Sequence, residues 1–211
     1  MSTTYTEKTW IGIGILWLFH LSGVIGIGLG HTDWFIEKTP LNLSVSLAVF
    51  LWLYPVQKKQ SILVFLLIAC LGMAAEWMGV HWGWFFGDYS YGSNFGPKFQ
   101  GVPYLIGLYW ALLTLATSAM AKPWLKSNWA QWALGAALMV VLDFLLEQWA
   151  PLFDFWTFDP HPPAKNYISW FVLGFGLQVL WDKAGNRGSY PISLHLYLAQ
   201  VFFFGTLFLV Y

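Results

Sequence analysis

The sequence predicts an all-α fold: a polytopic membrane bundle of about seven transmembrane helices, with its N-terminus in the cytoplasm. Three observations predict it. The 211 residues are 58% hydrophobic and only 9% charged, against about 25% charged in ordinary soluble domains. The apolar residues fall in continuous runs rather than alternating, which favours helices over a β-barrel. Basic residues also segregate by loop. With the N-terminus inside, Lys8, Lys58, Lys59, Lys122, Lys126, Lys183 and Arg187 share the cytoplasmic side, and Lys38, Lys98 and Lys165 lie outside.

Taken in order, the expected spans are 10–30, 41–56, 61–80, 103–121, 129–150, 166–181 and 191–210. Each apolar run ends at a loop rich in Gly, Pro, Asp or Lys. The first run is too long for the core of a signal peptide and ends in Gly30-His31-Thr32-Asp33 rather than a small-residue cleavage pattern, so it is expected to be a permanent span. Length and continuity suit a single transmembrane domain, 1–211. Ten basic residues balance ten acidic ones, so nothing in the charge calls for a nucleic-acid partner; membrane lipid is the expected surrounding. Cys70, alone in the chain, cannot form an internal disulfide and reads as a small core or lipid-facing residue.

The chemistry gathers at one end of this bundle. Residues 76–103 hold Glu76, Asp88, His81, Tyr89, Tyr91 and a series of glycines between two apolar spans. The third span runs outward, which puts Glu76 about one turn, roughly 6 Å, inside its outer end. The fifth also runs outward and carries Asp143 and Glu147 in its outer half, four residues apart and therefore on one face. A carboxylate at mid-helix costs about 2.5–3.5 kcal/mol on insertion scales and faces the bundle interior as a rule. Asp143, Asp88, Glu76 and Glu147 are thus the acid–base candidates, with Asp143 the first choice as proton donor because it lies deepest. Two readings compete: Glu76 and Glu147 are interhelical fasteners, or these carboxylates lie in the membrane interface, where charge is cheap. His20, mid-span, is expected to be a satisfied core group.

Of the fifteen tryptophans, Trp10, Trp34, Trp52, Trp124, Trp129 and Trp181 suit interfacial anchoring. Trp77, Trp82, Trp84, Phe85, Phe86, Tyr89 and Tyr91 are denser than anchoring requires, and Trp156 in the second polar segment 154–163 is a further substrate-binding candidate. They are expected to line a pocket for an apolar ligand or to stabilise a cation through their ring faces, with His81 positioning water. Absences narrow the chemistry further. The chain has no D-D-x-x-D pair, no H-E-x-x-H, no G-x-S-x-G and no G-x-G-x-x-G at a strand–helix junction, and its last span has no lysine. No metal and no cofactor is expected. Carboxyl groups beside an apolar cavity suit acid–base chemistry on a polyene or terpenoid, in which a protonated alkene becomes a tertiary cation that water captures.

The same residues carry a family resemblance. Glu76-Trp77-Met78-Gly79-Val80, Phe86-Gly87-Asp88-Tyr89-Ser90-Tyr91, Gly96-Pro97-Lys98 and Gly101-Val102-Pro103 resemble the membrane carotenoid-biosynthesis protein family, of the carotenoid 1,2-hydratase and bisanhydrobacterioruberin hydratase type. Leu142-Asp143-Phe144-Leu145-Leu146-Glu147, Asp154-Phe155-Trp156, Asn166-Tyr167 and Trp170-Phe171 resemble its later region, so the likeness spans about residues 70–175. It implies a cofactor-free hydratase of the bacterial inner membrane that adds water to the terminal double bond of an acyclic carotenoid, giving a tertiary 1-hydroxy product. The chain departs from the family pattern at His81-Trp82-Gly83, where Thr-Gly is expected, and at Glu147-Gln148, where Glu-Pro is expected. Two alternatives stay open. One is a cyclase or isomerase using the same carboxyl chemistry, which would leave product mass unchanged. The other is a non-enzymatic carotenoid-binding protein indifferent to carboxylate-to-amide changes. A proton-coupled transporter would call for an inverted pair of broken helices, which the sequence does not display.

Overall fold

The computed structural model describes residues 3–56, 58–185 and 188–211; Arg187, counted among the inner basic residues, lies outside them. Among the described residues eight α-helices form the fold. They are α1 (Glu7–Gly28), α2 (Thr32–Glu37), α3 (Thr39–Leu53), α4 (Lys59–Trp82), α5 (Tyr104–Ala121), α6 (Asn128–Glu147), α7 (Ala164–Lys183) and α8 (Tyr190–Leu207). Seven of them occupy the seven expected spans, and α2 is an additional short helix in the loop after α1. Four, namely α1, α4, α5 and α6, are long and apolar enough to cross a membrane. The apolar helix α3, with 15 residues, is shorter. Polar residues such as Gln178 and Gln200 dilute α7 and α8, and both side chains point into the protein. Outward faces are apolar: Leu63, Leu66, Leu67 and Leu71 of α4 are exposed, as a lipid-facing surface requires. Cys70 is exposed on the same helix.

Helix α5 is the axis of the bundle. Every residue from Tyr109 to Ala121 is buried, and the helix packs against α3, α4, α6, α7 and α8. Small residues make this close approach feasible, since apolar helices associate through van der Waals contact and not by escaping water. A Cβ on Gly107 would come within 2.8 Å of the Ala69 carbonyl oxygen, so α4 and α5 can meet at this distance only without one. Gly72 likewise accepts the Trp110 side chain, whose Cβ lies 2.4 Å from where a Gly72 Cβ would stand. At the opposite end from the long loops, Lys122 and Asp182 form a 2.9 Å ion pair, and Trp132 donates to the same carboxylate.

The two polar loops fold together over the other end. Helix α4 continues past the expected end to Trp82 and stops at Gly83, whose φ of 63° supplies the left-handed cap; His81 and Trp82 are therefore helical. Beyond it, β1 (Tyr89–Tyr91) leads to a hairpin of β2 (Lys98–Phe99) and β3 (Val102–Pro103). Gln100 and Gly101, at the hairpin tip, both take positive φ, as a two-residue primed turn requires. After α6, β4 (Trp156–Phe158) pairs antiparallel with β1, setting Tyr89 opposite Phe158 and Tyr91 opposite Trp156. A corner contact secures the pairing: the Asp154 carboxylate accepts from the Ser93 backbone N–H at 2.8 Å and from the Ser93 hydroxyl.

Candidate functional site

Glu76, Asp143 and Glu147 are all buried where the paired loops meet the helix ends. Glu76 comes from the last turns of α4. Residues i and i+2 of a strand share a face, so Tyr89 and Tyr91 of β1 turn together toward it and donate to its Oε2 at 2.6 and 2.7 Å. The Trp110 indole, from the central helix, donates to Oε1 at 2.8 Å. Gly79, one turn after Glu76, leaves room for this arrangement, since a Cβ there would lie 2.7 Å from the Tyr89 hydroxyl. Burial, and then the charge of Glu76, holds the Tyr89 and Tyr91 phenols above the usual tyrosine range, so both remain donors.

A second group forms around α6. Asp143 and Glu147 point the same way, and one residue of α7 bridges them: the Asn166 amide nitrogen lies 3.0 Å from Asp143 Oδ2 and 3.3 Å from Glu147 Oε1. The Trp156 indole of β4 donates to the other Glu147 oxygen at 3.0 Å. Asn166 is thus the sole donor to Asp143 among the described residues, while Glu76 receives three side-chain donors. Among the described residues no cluster of three or more His, Cys, Asp or Glu side chains has a metal-holding arrangement.

Two spaces adjoin these groups. The larger, about 220 Å³, is walled mainly by apolar and aromatic side chains of α1, α3, α5, α6 and α8, and reaches Asp143, Trp156 and Trp170. Trp34, Lys38 and Leu41 line it and are themselves exposed, placing its opening at the corner between α2 and α3. The smaller, about 20 Å³, is walled by Phe86, Ile106, Trp156, Phe158 and Trp170 and faced by Glu76, Asp143, Glu147, Tyr89, Tyr91 and Asn166, and a void of that size with several polar partners can hold a water molecule. Asp143, Trp156, Ile106 and Trp170 border both spaces. Trp170 stacks on Trp110 with centroids 3.9 Å apart, so the aromatic wall is continuous with the indole that anchors Glu76.

The residues expected from the sequence divide accordingly. Glu76, Asp143, Glu147, Phe86, Tyr89, Tyr91 and Trp156 come together around the two spaces. Asp88 does not: it is exposed in the loop, and its backbone carbonyl accepts from Asp159. Trp77, His81 and Trp84 line neither space among the described residues. His81 stacks on Trp77 and bonds its own helix at the Trp77 carbonyl, at 2.9 Å, while the Trp77 indole donates to Gln100 at the hairpin tip. Trp110 and Asn166 were missed as site residues. Trp110 offers no local signal among so many tryptophans. Asn166 did carry one, being an amide at the start of an apolar span on the same side as the carboxylates.

The fold and site define a class first: an integral-membrane helical protein that buries three carboxyl groups beside an apolar cavity. Residues 40–211 match the carotenoid biosynthesis protein family, and the chain belongs to that family, as the motifs in 76–103 and 142–171 led one to expect. It is similar to the bisanhydrobacterioruberin hydratase of Haloarcula japonica, with 23% identity over 162 residues, covering 72% of this chain and 53% of the relative. The chain therefore spans about half the length of that curated relative. No solved structure matches it.

Proposed function

We propose that this protein is a carotenoid hydratase, adding water across the terminal carbon–carbon double bond of an acyclic carotenoid end group. The observation that carries this reading is the position of Asp143 at the boundary between an apolar cavity and a water-sized polar void. A trisubstituted alkene in the larger space meets the Asp143 carboxyl group, and a water in the smaller one meets Glu147. Asp143 in its acid form transfers its proton to the less substituted alkene carbon, and the electron pair of the double bond forms the new C–H bond. The remaining carbon becomes a tertiary cation. Water attacks it and loses a proton to Glu147, giving a tertiary alcohol; the proton returns to Asp143 through the next water, so one alkene and one water are consumed.

Other residues act on the cation's surroundings. Glu76, held by three donors, supplies a fixed acceptor-only group near the developing positive charge. The ring faces of Trp156 and Trp170 add cation–π attraction. The cavity suits an end group rather than a whole polyene, whose remainder would leave toward the bilayer past Trp34 and Leu41. In the orientation expected from the basic residues, the reaction takes place in the outer half of the membrane.

Expression in a lycopene-producing bacterial host tests this. Extracted pigments should gain the mass of one water per reacted end group. Pigment of altered structure but unchanged mass would replace hydration with isomerisation or cyclisation, and unchanged pigment from well-expressed, folded protein would remove lycopene as a substrate.

A further inference from the structure

Away from the carboxyl groups, the larger cavity has a second polar spot that the hydration chemistry leaves unused. It is formed by His20 of α1 and Gln200 of α8, both of which line the cavity. Both side chains are more than nine-tenths buried, at 4% and 6% exposure. The Gln200 amide oxygen is buried with no hydrogen-bond partner. Such an orphaned acceptor in an apolar wall is uncommon, because its lost hydration is not replaced. His20 is oriented by its own helix: Nδ1 lies 2.7 Å from the Leu16 carbonyl oxygen. A carbonyl can only accept, so Nδ1 carries the hydrogen and the neutral ring presents Nε2 as an acceptor. Phe203, one turn beyond Gln200, meets the His20 ring edge-on at 6.2 Å, which places the two polar groups on adjoining faces of helices that pack together.

We propose that His20 and Gln200 form an alcohol-binding subsite, so that the preferred ligand is an isoprenoid chain that already carries a hydroxyl group before reaction. Its O–H donates to the Gln200 amide oxygen, with His20 Nε2 as a second acceptor within the same wall. The surrounding Phe19, Ile27, Leu113 and Phe204 accept the hydrocarbon on either side. The inference rests on the reading of this cavity as the substrate chamber, and it adds a selection that the carboxyl groups alone do not make.

Binding without turnover separates the two ideas. Purified full-length protein in nanodiscs would be titrated with geraniol and with the hydrocarbon that lacks only its hydroxyl, following tryptophan fluorescence after correction for partition into the lipid. Wild type should bind the alcohol about tenfold more tightly, the effect of one satisfied hydrogen bond at a buried acceptor. Gln200→Leu should abolish most of that preference and leave hydrocarbon binding intact, and His20→Leu should reduce it. If Gln200→Leu does not fold, as judged by its melting profile, Gln200→Met takes its place. Equal affinity for the two ligands in wild type, or a full preference in a folded Gln200 variant, would overturn the subsite. Asp143→Asn should keep the alcohol preference. A preference retained in a protein that leaves lycopene unchanged supports the subsite and removes lycopene as a substrate, altered pigment of unchanged mass removes the hydratase, and hydration without an alcohol preference removes only the subsite.

Discussion

The Tyr89 hydroxyl lies 2.6 Å from Glu76 Oε2, joining a strand in the polar loop to a carboxylate inside a membrane helix. Tyr91 makes the equivalent bond at 2.7 Å, so β1 is seated on the bundle by two phenols that converge on one oxygen. Because β1 also pairs with β4, which carries Trp156 onto Glu147, the same strand pair sets the positions of two of the three buried carboxyl groups.

Removing the proposed proton donor should remove the proposed reaction. Asp143→Asn keeps the shape and leaves an oxygen for Asn166, so the protein should fold and melt close to wild type. Hydration in the pigment assay should fall by about 10²- to 10⁴-fold, the range for losing a positioned general acid. Substantial hydrated product from this variant would take Asp143 out of the mechanism.

Asp88 is exposed and apart from both spaces. Asp88→Asn should therefore leave hydration within about twofold of wild type, since surface changes away from buried features alter little. A drop as large as that of Asp143→Asn would mean that the loop rearranges to bring Asp88 to the substrate.

Tyr89→Phe and Tyr91→Phe each strip one donor from a buried carboxylate. Each should lower stability by about 1.5–3 kcal/mol, the range for a hydrogen bond to a charged group, measured by thermal or denaturant unfolding in detergent. Because both phenols meet the same oxygen, the double variant should depart from the sum of the singles; strict additivity would argue against a shared acceptor.

Gly79→Ala tests the space that admits Tyr89. The new Cβ would stand 2.7 Å from the Tyr89 hydroxyl and 2.9 Å from a Phe86 ring carbon. A cost of about 1–3 kcal/mol is expected for overpacking, and it should be smaller in a Tyr89→Phe background, where the hydroxyl is gone. An equal cost in both backgrounds would assign the strain to the rings of Phe86 and residue 89, whose nearest carbons stand 2.9 and 3.0 Å from the new Cβ, rather than to the hydroxyl.

The Ser93–Asp154 corner predicts an acid-side effect. Hydrogen bonds from the Ser93 hydroxyl and backbone hold the Asp154 carboxyl below its ordinary range. A group depressed in the folded state contributes stability above its unfolded pKa of about 3.9 and loses it as pH falls through the lower folded value. Melting temperature should therefore decline below about pH 4 more steeply in wild type than in Asp154→Asn. Parallel profiles would show that the corner does not contribute.

Much of this was legible in the chain. Continuous apolar runs located all seven long helices, and the four-residue spacing of Asp143 and Glu147 put both on one face. The topology count brought Glu76 to their depth, and the motifs around it carried the family resemblance. Helix ends were less visible: α4 runs on through His81 and Trp82 because Gly83, the residue able to take the left-handed cap, follows them. That shift moved His81 out of the loop and onto the exposed side of Trp77.

By itself the sequence determined the membrane-helical class and the end of the bundle where Glu76, Asp143 and Glu147 gather, because these depend on local composition, helical period and charge along the chain; the family followed from the resemblance carried by the motifs in 76–103 and 142–171. Only the tertiary structure decided which polar groups share a space. Trp110, Tyr89 and Tyr91 converge on Glu76, Asn166 spans Asp143 and Glu147, and Asp88 stays in the exposed loop. The physical reason is that donors must be supplied to each buried carboxyl group from elements distant in sequence. Which donor arrives is set by strand pairing and by close helix approach at Gly72, Gly79 and Gly107, neither of which has a local signature.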